Sequence, residues 1–367
     1  MNRILLIGNG FDLAHGLKTS YQDFIDDYWE KKKILITEEL EETWDNDKVY
    51  YKYEDETIIF ISPCYIPSLP ESVNTNKKGC KWFNILLSSK YSITINGYLI
   101  TVSLEIKNIF LNIITNKSFL KNWVDIEAEY YSLLNECTKG KLNIDDLKKD
   151  FSYVKSALIN YLQEQGIKRT MTLSKVIDLL DSIISDAKIS NEIYDFTKNR
   201  ILFLVFNYTN TEQYYLDYFK KVVNHSINCI HIHGELENKI NPIIFGYGDE
   251  IDENYKHIEN INDNRFLDNV KYINYLLTDN YKRLLNFINT YEYQVYIMGH
   301  SCGISDRTLL NKLFEHQNCK SIKAYYHHRD DGTDDYTNLV QNISRNFNDK
   351  SKMREIVVEK TSCIPLI

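Results

Sequence analysis

Cysteine pairs, proline and glycine are scarce in this sequence, and each shortage removes a class of structure. Five prolines and 13 glycines in 367 residues predict long helices and few tight turns. The seven cysteines are scattered and none forms a Cys-x-x-Cys pair, which excludes a zinc ribbon and a thioredoxin-like site. Scattered single cysteines are typical of reducing compartments, so we expect a cytoplasmic protein.

Positive charge and long apolar runs are also scarce. The formal net charge is −8 and no sustained basic run occurs, so we expect no direct nucleic-acid binding and no attraction to a membrane surface. Five apolar residues precede Gly8, too few for a signal peptide, and no run approaches membrane-spanning length. A composition of 43% hydrophobic and 26% charged residues is that of a globular protein with one large domain or two.

Short apolar or β-branched runs alternate with helix-like stretches in the last third of the chain. This alternation predicts βαβ units, and therefore an α/β fold with a Rossmann-like parallel sheet and helices on both faces. The predicted strands cover residues 3–7, 201–206, 226–232, 294–298 and 321–326, with 353–358 as a further candidate. The predicted helices between them cover residues 211–222, 269–290, 305–316 and 335–347.

Residues 25–198 are predicted to form a large, mainly helical insertion after the first strand, so that residues 1–24 and 199–360 form the core. Apolar residues at helical spacing predict helices over residues 21–40, 120–137, 147–162 and 173–184. Residues 51–80 contain three prolines and a polar segment, which predicts an irregular excursion across the surface.

Polar residues follow each predicted strand at the point where it ends. They are Gly8-Asn9-Gly10, Asn207-Tyr208-Thr209-Asn210, His233-Gly234-Glu235, Gly299-His300-Ser301 and His327-His328-Arg329. The carboxyl ends of parallel strands meet at one edge of the sheet, where ligands bind in open α/β folds. Turn chemistry enriches Gly and Asn there, but it does not account for histidine at three of the five positions. The sequence therefore predicts one polar crevice.

The segment Gly8-Asn9-Gly10 after the first strand has two interpretations. Glycine lets backbone N–H groups approach a phosphate, and the following helix N-terminus adds partial positive charge. The alternative is a tight strand-to-helix turn, because Leu13 occupies the position of the third glycine in the dinucleotide-binding fingerprint.

His231 and His233 are predicted to lie on one face of a strand, a spacing that metal ions accept. A metal needs more ligands, and neither carboxylates nor cysteines cluster with these histidines at a recognisable distance in the sequence. We therefore expect no bound metal, and one functional or solvated histidine at the strand end.

Gly299-His300-Ser301-Cys302-Gly303 matches the Gly-x-Ser-x-Gly nucleophile elbow of serine hydrolases. Asp306 with His327 or His328 would complete a triad in the required order. Against this, the following helix starts later than an elbow requires, and the other polar strand ends would have no role. A Ser301 hydroxyl bound to phosphate or ribose is an equally natural interpretation.

Five motifs, in order along nearly the whole chain, resemble those of the AbiH family of bacterial abortive-infection proteins. They are Gly8-Asn9-Gly10-Phe11-Asp12 with His15-Gly16 and Tyr21-x-Asp23-Phe24, Trp123-x-Asp125-x-Glu127, Phe206-Asn207-Tyr208-Thr209, His231-x-His233-Gly234, and Gly299-His300-Ser301 with Asp306. The AbiH pattern is similar in turn, more distantly, to sirtuin-like NAD-binding domains. The resemblance implies a sirtuin-like core with NAD⁺ as a substrate and no permanently bound cofactor.

The same resemblance implies roles for the matched residues. Asn207 would orient the nicotinamide ribose or the attacking water, and His233 would act as general base toward a ribose hydroxyl. The residues implied to bind the nucleotide are Gly8, Asn9, Gly10, Phe11, Tyr21, Asp23, Gly299, His300, Ser301 and Asp306. The four-cysteine zinc module of the sirtuin deacetylases is missing from the sequence, and Asn9 and Ile25 replace the alanine and arginine usual in sirtuins, so peptide deacetylation is not expected.

The expected function is an anti-phage abortive-infection effector that hydrolyses NAD⁺ to ADP-ribose and nicotinamide. Cleavage of the nicotinamide bond passes through an oxocarbenium-like cation, which a carboxylate such as Asp12, or else Glu127, would stabilise. The alternatives are a Ser301 hydrolase and a non-catalytic nucleotide-binding sensor or scaffold in a defence complex. The expected partners are NAD⁺ or a related nucleotide, and a phage-derived trigger or another defence protein; a homo-oligomer is compatible with the sequence.

Overall fold

The computed structural model of the chain describes residues 1–42, 51–62, 91–95, 98–121, 125–166, 173–185, 200–222, 227–248 and 253–367. Two compact units divide the chain: Met1–Thr19 together with Leu162–Ile367, and Ser20–Tyr161. The sequence placed the corresponding boundaries after residues 24 and 198. None of the described helices combines the length and the apolarity needed to cross a bilayer.

Strands and helices are distributed over both units. The strands are β1 Asn2–Ile7, β2 Tyr51–Glu54, β3 Ile58–Ser62, β4 Tyr91–Ile95, β5 Tyr98–Ile106, β6 Ile201–Val205, β7 Ile227–His231, β8 Tyr293–Met298 and β9 Cys319–Tyr325. The helices are α1 Asn9–Ala14, α2 Tyr21–Glu42, α3 Ile109–Lys121, α4 Ile126–Thr138, α5 Ile144–Gly166, α6 Ser174–Ser185, α7 Gln213–Val222, α8 Glu253–Asn260, α9 Lys271–Asn274, α10 Asn280–Thr290, α11 Arg307–Phe314, α12 Tyr336–Arg345 and α13 Lys350–Ile356. Short 3₁₀ helices cover Asn264–Phe266, Tyr275–Leu277, Ile304–Asp306 and Lys360–Ser362.

The first unit is built on a five-stranded parallel sheet in the order β7-β6-β1-β8-β9. The central strand is β1, in which Leu5 lies opposite Phe203 of β6 and Tyr296 of β8. Because side chains alternate along a strand, Leu6 enters the apolar core covered by α10, α11 and α12, and Leu5 enters the core covered by α6 and α7. The predicted Rossmann-like α/β fold with helices on both faces is confirmed.

The order of the strands reverses between β1 and β8, which in open α/β sheets marks the place where ligands bind. The segments that leave these two strands are in direct contact at this point. The N–H of Gly8 donates to the Met298 carbonyl at 3.2 Å, and the N–H of Gly10 donates to the Gly299 carbonyl at 2.7 Å. Both glycine N–H groups, which the phosphate interpretation required, are therefore used between the two loops.

Side chains would not fit where these loops meet. A Cβ atom on Gly299 would lie 2.1 Å from the Phe11 nitrogen, and one on Gly8 would lie 2.4 Å from the His300 Cα atom. Gly299 also has a φ of +76°, which L-residues rarely adopt. Gly8 and Gly299 therefore allow the two loops to pack against each other. This agrees with the interpretation of Gly8-Asn9-Gly10 as a tight strand-to-helix turn.

The second unit contains a four-stranded antiparallel sheet in the order β2-β3-β5-β4, together with α2, α3, α4 and most of α5. In this sheet Ile58 pairs with Ile106, and Phe60 pairs with Leu104. The predicted irregular excursion over residues 51–80 is therefore wrong for its described part, residues 51–62. Residues 58–61 are all apolar, so the alternation of apolar and polar residues that indicates a half-buried strand is not visible there. The burial does alternate: Ile58 and Phe60 are fully buried, and Ile59 and Ile61 are half-buried.

Helix predictions in the second unit agree better with the structure. The prediction of a helix over residues 21–40 is confirmed by α2. The helix predicted over residues 120–137 is divided into the end of α3 and the whole of α4 up to Cys137, and Asp125 caps α4 by accepting from the Ala128 N–H at 3.0 Å. Trp123 lies outside the described residues. Glu127 is buried in this unit; burial lowers the pKa of Lys155, and the charge of Glu127 opposes that shift.

Two predictions in the first unit are wrong. Residues 353–356 belong to helix α13, not to a strand, because Asp349 caps that helix by accepting from the N–H groups of Ser351 and Lys352. The single helix predicted over residues 269–290 is interrupted by the extended residue Thr278. Helix α6, which the sequence placed in the insertion, belongs to the first unit, where Leu180 is buried in the same core as Leu5.

Substitution of Gly299 tests the packing of the two loops, with Gly16 as the matched control. Both residues have a φ of +76°, but a Cβ atom on Gly16 would meet nothing within 4 Å. Gly16→Ala should lower the free energy of unfolding by about 1 to 2 kcal/mol, the strain of a left-handed backbone. Gly299→Ala should cost at least about 2 kcal/mol more, because its Cβ collides with backbone. Urea unfolding measures both values, and equal losses would contradict the packing role.

Candidate functional site

Polar side chains, most of them buried, gather at the carboxyl edge of the parallel sheet, in β7 and on segments that follow β1, β6, β7 and β8. They form three groups, each named after one member. The Asp306 cluster contains His233, Lys271, Tyr275, His300 and Asp306; the Asp12 group contains Asp12, Asn207, Thr209 and Thr211; the Glu212 group contains Glu212, Cys229 and His231.

Asp306 is the centre of the first group. Its Oδ1 atom lies 2.8 Å from Nζ of Lys271 and 3.2 Å from Nε2 of His233. Its Oδ2 atom lies 3.4 Å from Nε2 of His300. The Lys271 side chain is only 1% exposed, and a lysine buried so deeply requires a carboxylate partner. Asp306 therefore holds together residues from three separate segments of the chain.

The charges of this cluster are set by mutual interaction. Burial alone would raise the pKa of Asp306, but Lys271, His233 and His300 outweigh burial and hold that pKa well below its usual range. Burial, together with the charge of Lys271, lowers the pKa of His233 to about 4. At neutral pH the structure thus contains an ionised Asp306 beside a neutral His233.

Hydrogen bonds also fix the tautomers of the two histidines. The N–H of Cys302 donates to Nδ1 of His300 at 2.9 Å, so His300 carries its proton on Nε2, facing Asp306. The ionised Asp306 likewise favours the proton on Nε2 of His233, which leaves Nδ1 as the acceptor nitrogen of that ring. The Phe206 ring packs against both imidazoles, with centroids 5.0 and 4.2 Å away. The cluster therefore holds His233 in one orientation.

The Asp12 group lies where β1 and β6 end. Asp12 is 1% exposed, and its Oδ2 atom accepts a hydrogen bond from the Thr209 hydroxyl at 2.5 Å. Within the described residues, no donor has hydrogen-bonding geometry toward its Oδ1 atom. The side-chain amide of Asn207 donates to the Gly8 carbonyl at 3.1 Å. Because buried carboxylate oxygens are normally paired, Oδ1 of Asp12 is a candidate point of contact for a ligand.

The protonation of Asp12 is also unusual. Burial raises its pKa from 3.8 to about 6, and the charge of Glu212 adds to the rise. The side chains of Thr209, Thr211 and Asn207 oppose it. A carboxyl group with a pKa this close to neutrality suits proton transfer or stabilisation of positive charge.

His231 and His233 enter different groups, so the predicted placement of both imidazoles on one strand face is wrong. Strand β7 ends at His231 and the chain turns there, with the Gly234 N–H donating back to the His231 carbonyl at 3.3 Å. The Nε2 atom of His231 lies 2.9 Å from Oε1 of Glu212. Burial lowers the pKa of His231, but Cys229 and Glu212 outweigh burial and raise it to about 11.

Several residues expected to bind a nucleotide have other surroundings. Phe11 is fully buried in the apolar core that also contains Leu5. Asn9 is exposed, and its Oδ1 atom accepts a hydrogen bond from a threonine hydroxyl at 2.6 Å. Tyr21 and Asp23 belong to the second unit, in the first turn of α2. Among the expected residues, the structure brings Gly8, Asn207 and Asp12 together in one place, and His233, His300 and Asp306 in another.

The geometry of a serine hydrolase triad is not formed around Ser301. Ser301 is exposed, and within the described chain no histidine is hydrogen-bonded to its hydroxyl. Asp306 is occupied by its own cluster, and His327 and His328 are exposed. The strained backbone with a φ of +53° is at Cys302, not at the serine as in a nucleophile elbow.

Five members of these groups were not predicted from the sequence: Lys271, Tyr275, Glu212, Cys229 and Thr211. Lys271 and Tyr275 lie in a stretch that was predicted as one continuous helix, and no motif marks them. Glu212 had a detectable signal, since it comes two residues after the polar segment that ends at Asn210. A carboxylate so close to a strand exit is within reach of the crevice.

The strand order and the buried polar groups at the reversal point define a class: a Rossmann-like α/β protein with a polar site at the carboxyl edge of its sheet. The family model for bacteriophage abortive infection AbiH matches residues 4–328, which is most of the chain. The chain therefore belongs to the AbiH family, and this membership implies a role in phage abortive infection. No curated protein matches the sequence.

Asp12→Asn should stabilise the protein at pH 8 and leave its stability at pH 4 nearly unchanged. The pKa of Asp12 is about 6 in the folded chain against 3.8 ordinarily, so between these values the folded state binds the extra proton. Stability contributed by this residue therefore falls as pH rises, by about 3 kcal/mol above pH 6. The amide of the Asp12→Asn variant does not ionise, so the variant does not lose stability in this way as pH rises.

Thermal unfolding of the Asp12→Asn variant at both pH values measures the effect. Asp217→Asn, at an exposed carboxylate on α7, is the control and should not change the melting temperature in this pH-dependent way. An Asp12→Asn protein that melts below the wild type at pH 8 would contradict the burial cost.

Proposed function

We propose that this chain hydrolyses NAD⁺ to ADP-ribose and nicotinamide, and that this reaction is the basis of its role in phage abortive infection. The observation that carries the proposal is the Asp12 carboxylate, which is buried beside Asn207 at the carboxyl ends of β1 and β6, next to the point where the strand order reverses, and has one oxygen without a donor. Nucleotides bind at this place in other sheets of the same architecture. The resemblance of the sequence motifs to sirtuin-like proteins supports the same substrate.

In the proposed reaction, the bond between the ribose C1′ and the nicotinamide nitrogen breaks and nicotinamide leaves with the bonding electrons. A water oxygen then bonds to C1′ and a proton is released. Positive charge develops on the ribose, so a fixed negative group nearby lowers the barrier. At about 4 Å and an effective dielectric constant of about 20, one such charge is worth about 4 kcal/mol. Asp12, with a pKa near 6, is mostly ionised at neutral pH and can supply it.

Asn207 and His233 complete the proposed machinery. The Asn207 side-chain amide is fixed by its hydrogen bond to the Gly8 carbonyl. It carries both a hydrogen-bond donor and an acceptor, which can contact a water or a ribose hydroxyl. His233 is held by Asp306 and presents Nδ1 as an acceptor for a ribose hydroxyl. In this scheme Asp306 orients His233 and does not touch the phosphates.

Purified protein incubated with NAD⁺ should release nicotinamide. Asp12→Asn should slow release by about 1,000-fold, the rate equivalent of about 4 kcal/mol, and Asn207→Ala and His233→Ala should each slow it by at least about 100-fold. The matched controls are Asp217→Asn and His316→Gln. The Asp217 side chain is hydrogen-bonded to Gln213, the His316 side chain is hydrogen-bonded to Asn289 and to the N–H of Asn318, and both residues lie outside the three groups. Circular dichroism of each variant reports whether it is folded.

Three outcomes separate the candidate functions. Nicotinamide release that depends on Asp12, Asn207 and His233 supports hydrolysis. Thermal stabilisation by NAD⁺ without release overturns hydrolysis and favours a nucleotide-binding sensor. Labelling by a fluorophosphonate probe that Ser301→Ala abolishes overturns the proposal in favour of a serine hydrolase.

A further inference from the structure

We propose that Glu212, Cys229 and His231 form a binding site for a divalent transition-metal ion of the zinc type. Each offers one ligand atom, and these atoms all lie within 4.8 Å of one another. Carboxylate, thiolate and imidazole are the three ligand types that zinc uses in proteins. With bonds of 2.0 to 2.3 Å, tetrahedral geometry separates ligands by about 3.4 Å, so the side chains need to move little.

The second ring nitrogen of His231 supports this assignment. Its Nδ1 atom lies 3.3 Å from the backbone carbonyl oxygen of Asn207, while Nε2 faces Glu212 at 2.9 Å. Metal-binding histidines usually donate one ring N–H to a carbonyl or carboxylate, which fixes the other nitrogen as the ligand. The carbonyl of Asn207 is in that position, so Nε2 is the ligand atom, and the metal ion would replace the proton that Nε2 otherwise shares with Glu212.

The surroundings leave room for a fourth ligand. The three residues line a cavity of about 210 Å³, which is also lined by Glu235 and Arg283. A site with three protein ligands and one position open to a cavity is the arrangement of catalytic rather than structural zinc sites. Water from the cavity can complete the coordination.

A buried ion pair is the competing explanation for part of this group. It accounts for Glu212 and His231, whose side chains are 2% and 7% exposed and 2.9 Å apart. It does not account for the thiol of Cys229 next to them. Among the free cysteines of the described residues, Cys229 is half-buried and the others are buried, so Cys229 is the most exposed of them to ions from solution.

This site is separate from the machinery proposed for NAD⁺ hydrolysis. Its three ligands come from β7 and from the turn before α7, and none of them belongs to the Asp306 cluster. Two links join them: the Asn207 backbone carbonyl, which a metal-bound His231 would hold in place, and the charge of Glu212, which contributes to the raised pKa of Asp12. The two proposals are therefore tested separately: absence of metal binding would leave the hydrolase proposal in place, and absence of NAD⁺ hydrolysis would leave the metal proposal in place.

Cobalt(II) titration of chelator-treated, full-length protein is the direct test. The expected result is one cobalt ion per chain, with visible bands of tetrahedral cobalt and a thiolate-to-cobalt charge-transfer band in the near ultraviolet. Excess zinc(II) should remove these bands by competition. Cys229→Ser should abolish the charge-transfer band, and His231→Gln and Glu212→Gln should weaken cobalt binding by at least about 100-fold, since even indirect partners of ligands cost 10 to 100-fold.

Cys319→Ser is the matched control, because Cys319 is a buried free cysteine on β9 outside the group, and it should keep the band. Alkylation of the wild type followed by peptide mass spectrometry is a second measurement that needs no variant: zinc(II) should slow the modification of Cys229 at least tenfold. Absence of the charge-transfer band in the wild type, its persistence in Cys229→Ser, or unchanged alkylation of Cys229 in zinc(II) would overturn the proposal and leave an ion pair only.

Discussion

The contact between the loops that follow β1 and β8 is the constraint on which the rest of the first unit depends. Gly10 and Gly299 bring two backbones close enough for the N–H of Gly10 to donate to Gly299 at 2.7 Å, and no side chain fits between them. This contact fixes where α1 begins, and therefore where Asp12 lies. It also places His300 opposite Asp306. One close approach of glycine backbone thus sets the positions of two buried polar groups.

Two buried carboxylates in this region have opposite electrostatic surroundings. Asp306 is compensated by a buried lysine and two histidines, so its charge is stabilised and it serves as an anchor. Asp12 is buried among hydroxyl and amide groups and near the charge of Glu212, so burial and that charge destabilise its ionised form and raise its pKa. Unfavourable solvation of this kind persists at functional sites because the surrounding packing holds it in place. In the proposed reaction the compensated carboxylate, Asp306, orients His233, and the uncompensated one, Asp12, faces the developing positive charge.

The sequence predicted the parallel sheet because strand periodicity and helix periodicity are local signals, and it predicted the polar strand ends because topology brings them to one edge. It did not predict which of these strand ends contribute side chains to the same buried polar group. His231 and His233 separate because the chain turns directly after β7, and Lys271 enters from a segment without a motif. The antiparallel sheet of the second unit was missed because residues 58–61 are uniformly apolar. Pairings between distant segments depend on tertiary packing, which local patterns do not encode.

β1 is the central strand of the parallel sheet but comes first in the sequence, so the sheet can be completed only late in synthesis. Its two neighbours begin only at Ile201 and Tyr293, so β1 leaves the ribosome long before either of them exists. At 5 to 20 residues per second, the interval before β8 is complete lasts about 15 to 60 s. Throughout that time His233 lacks Asp306, which follows β8, and Asp12 lacks the hydroxyl of Thr209 until β6 and the residues after it have been made. The Asp306 cluster can therefore assemble only after most of the chain has been synthesised.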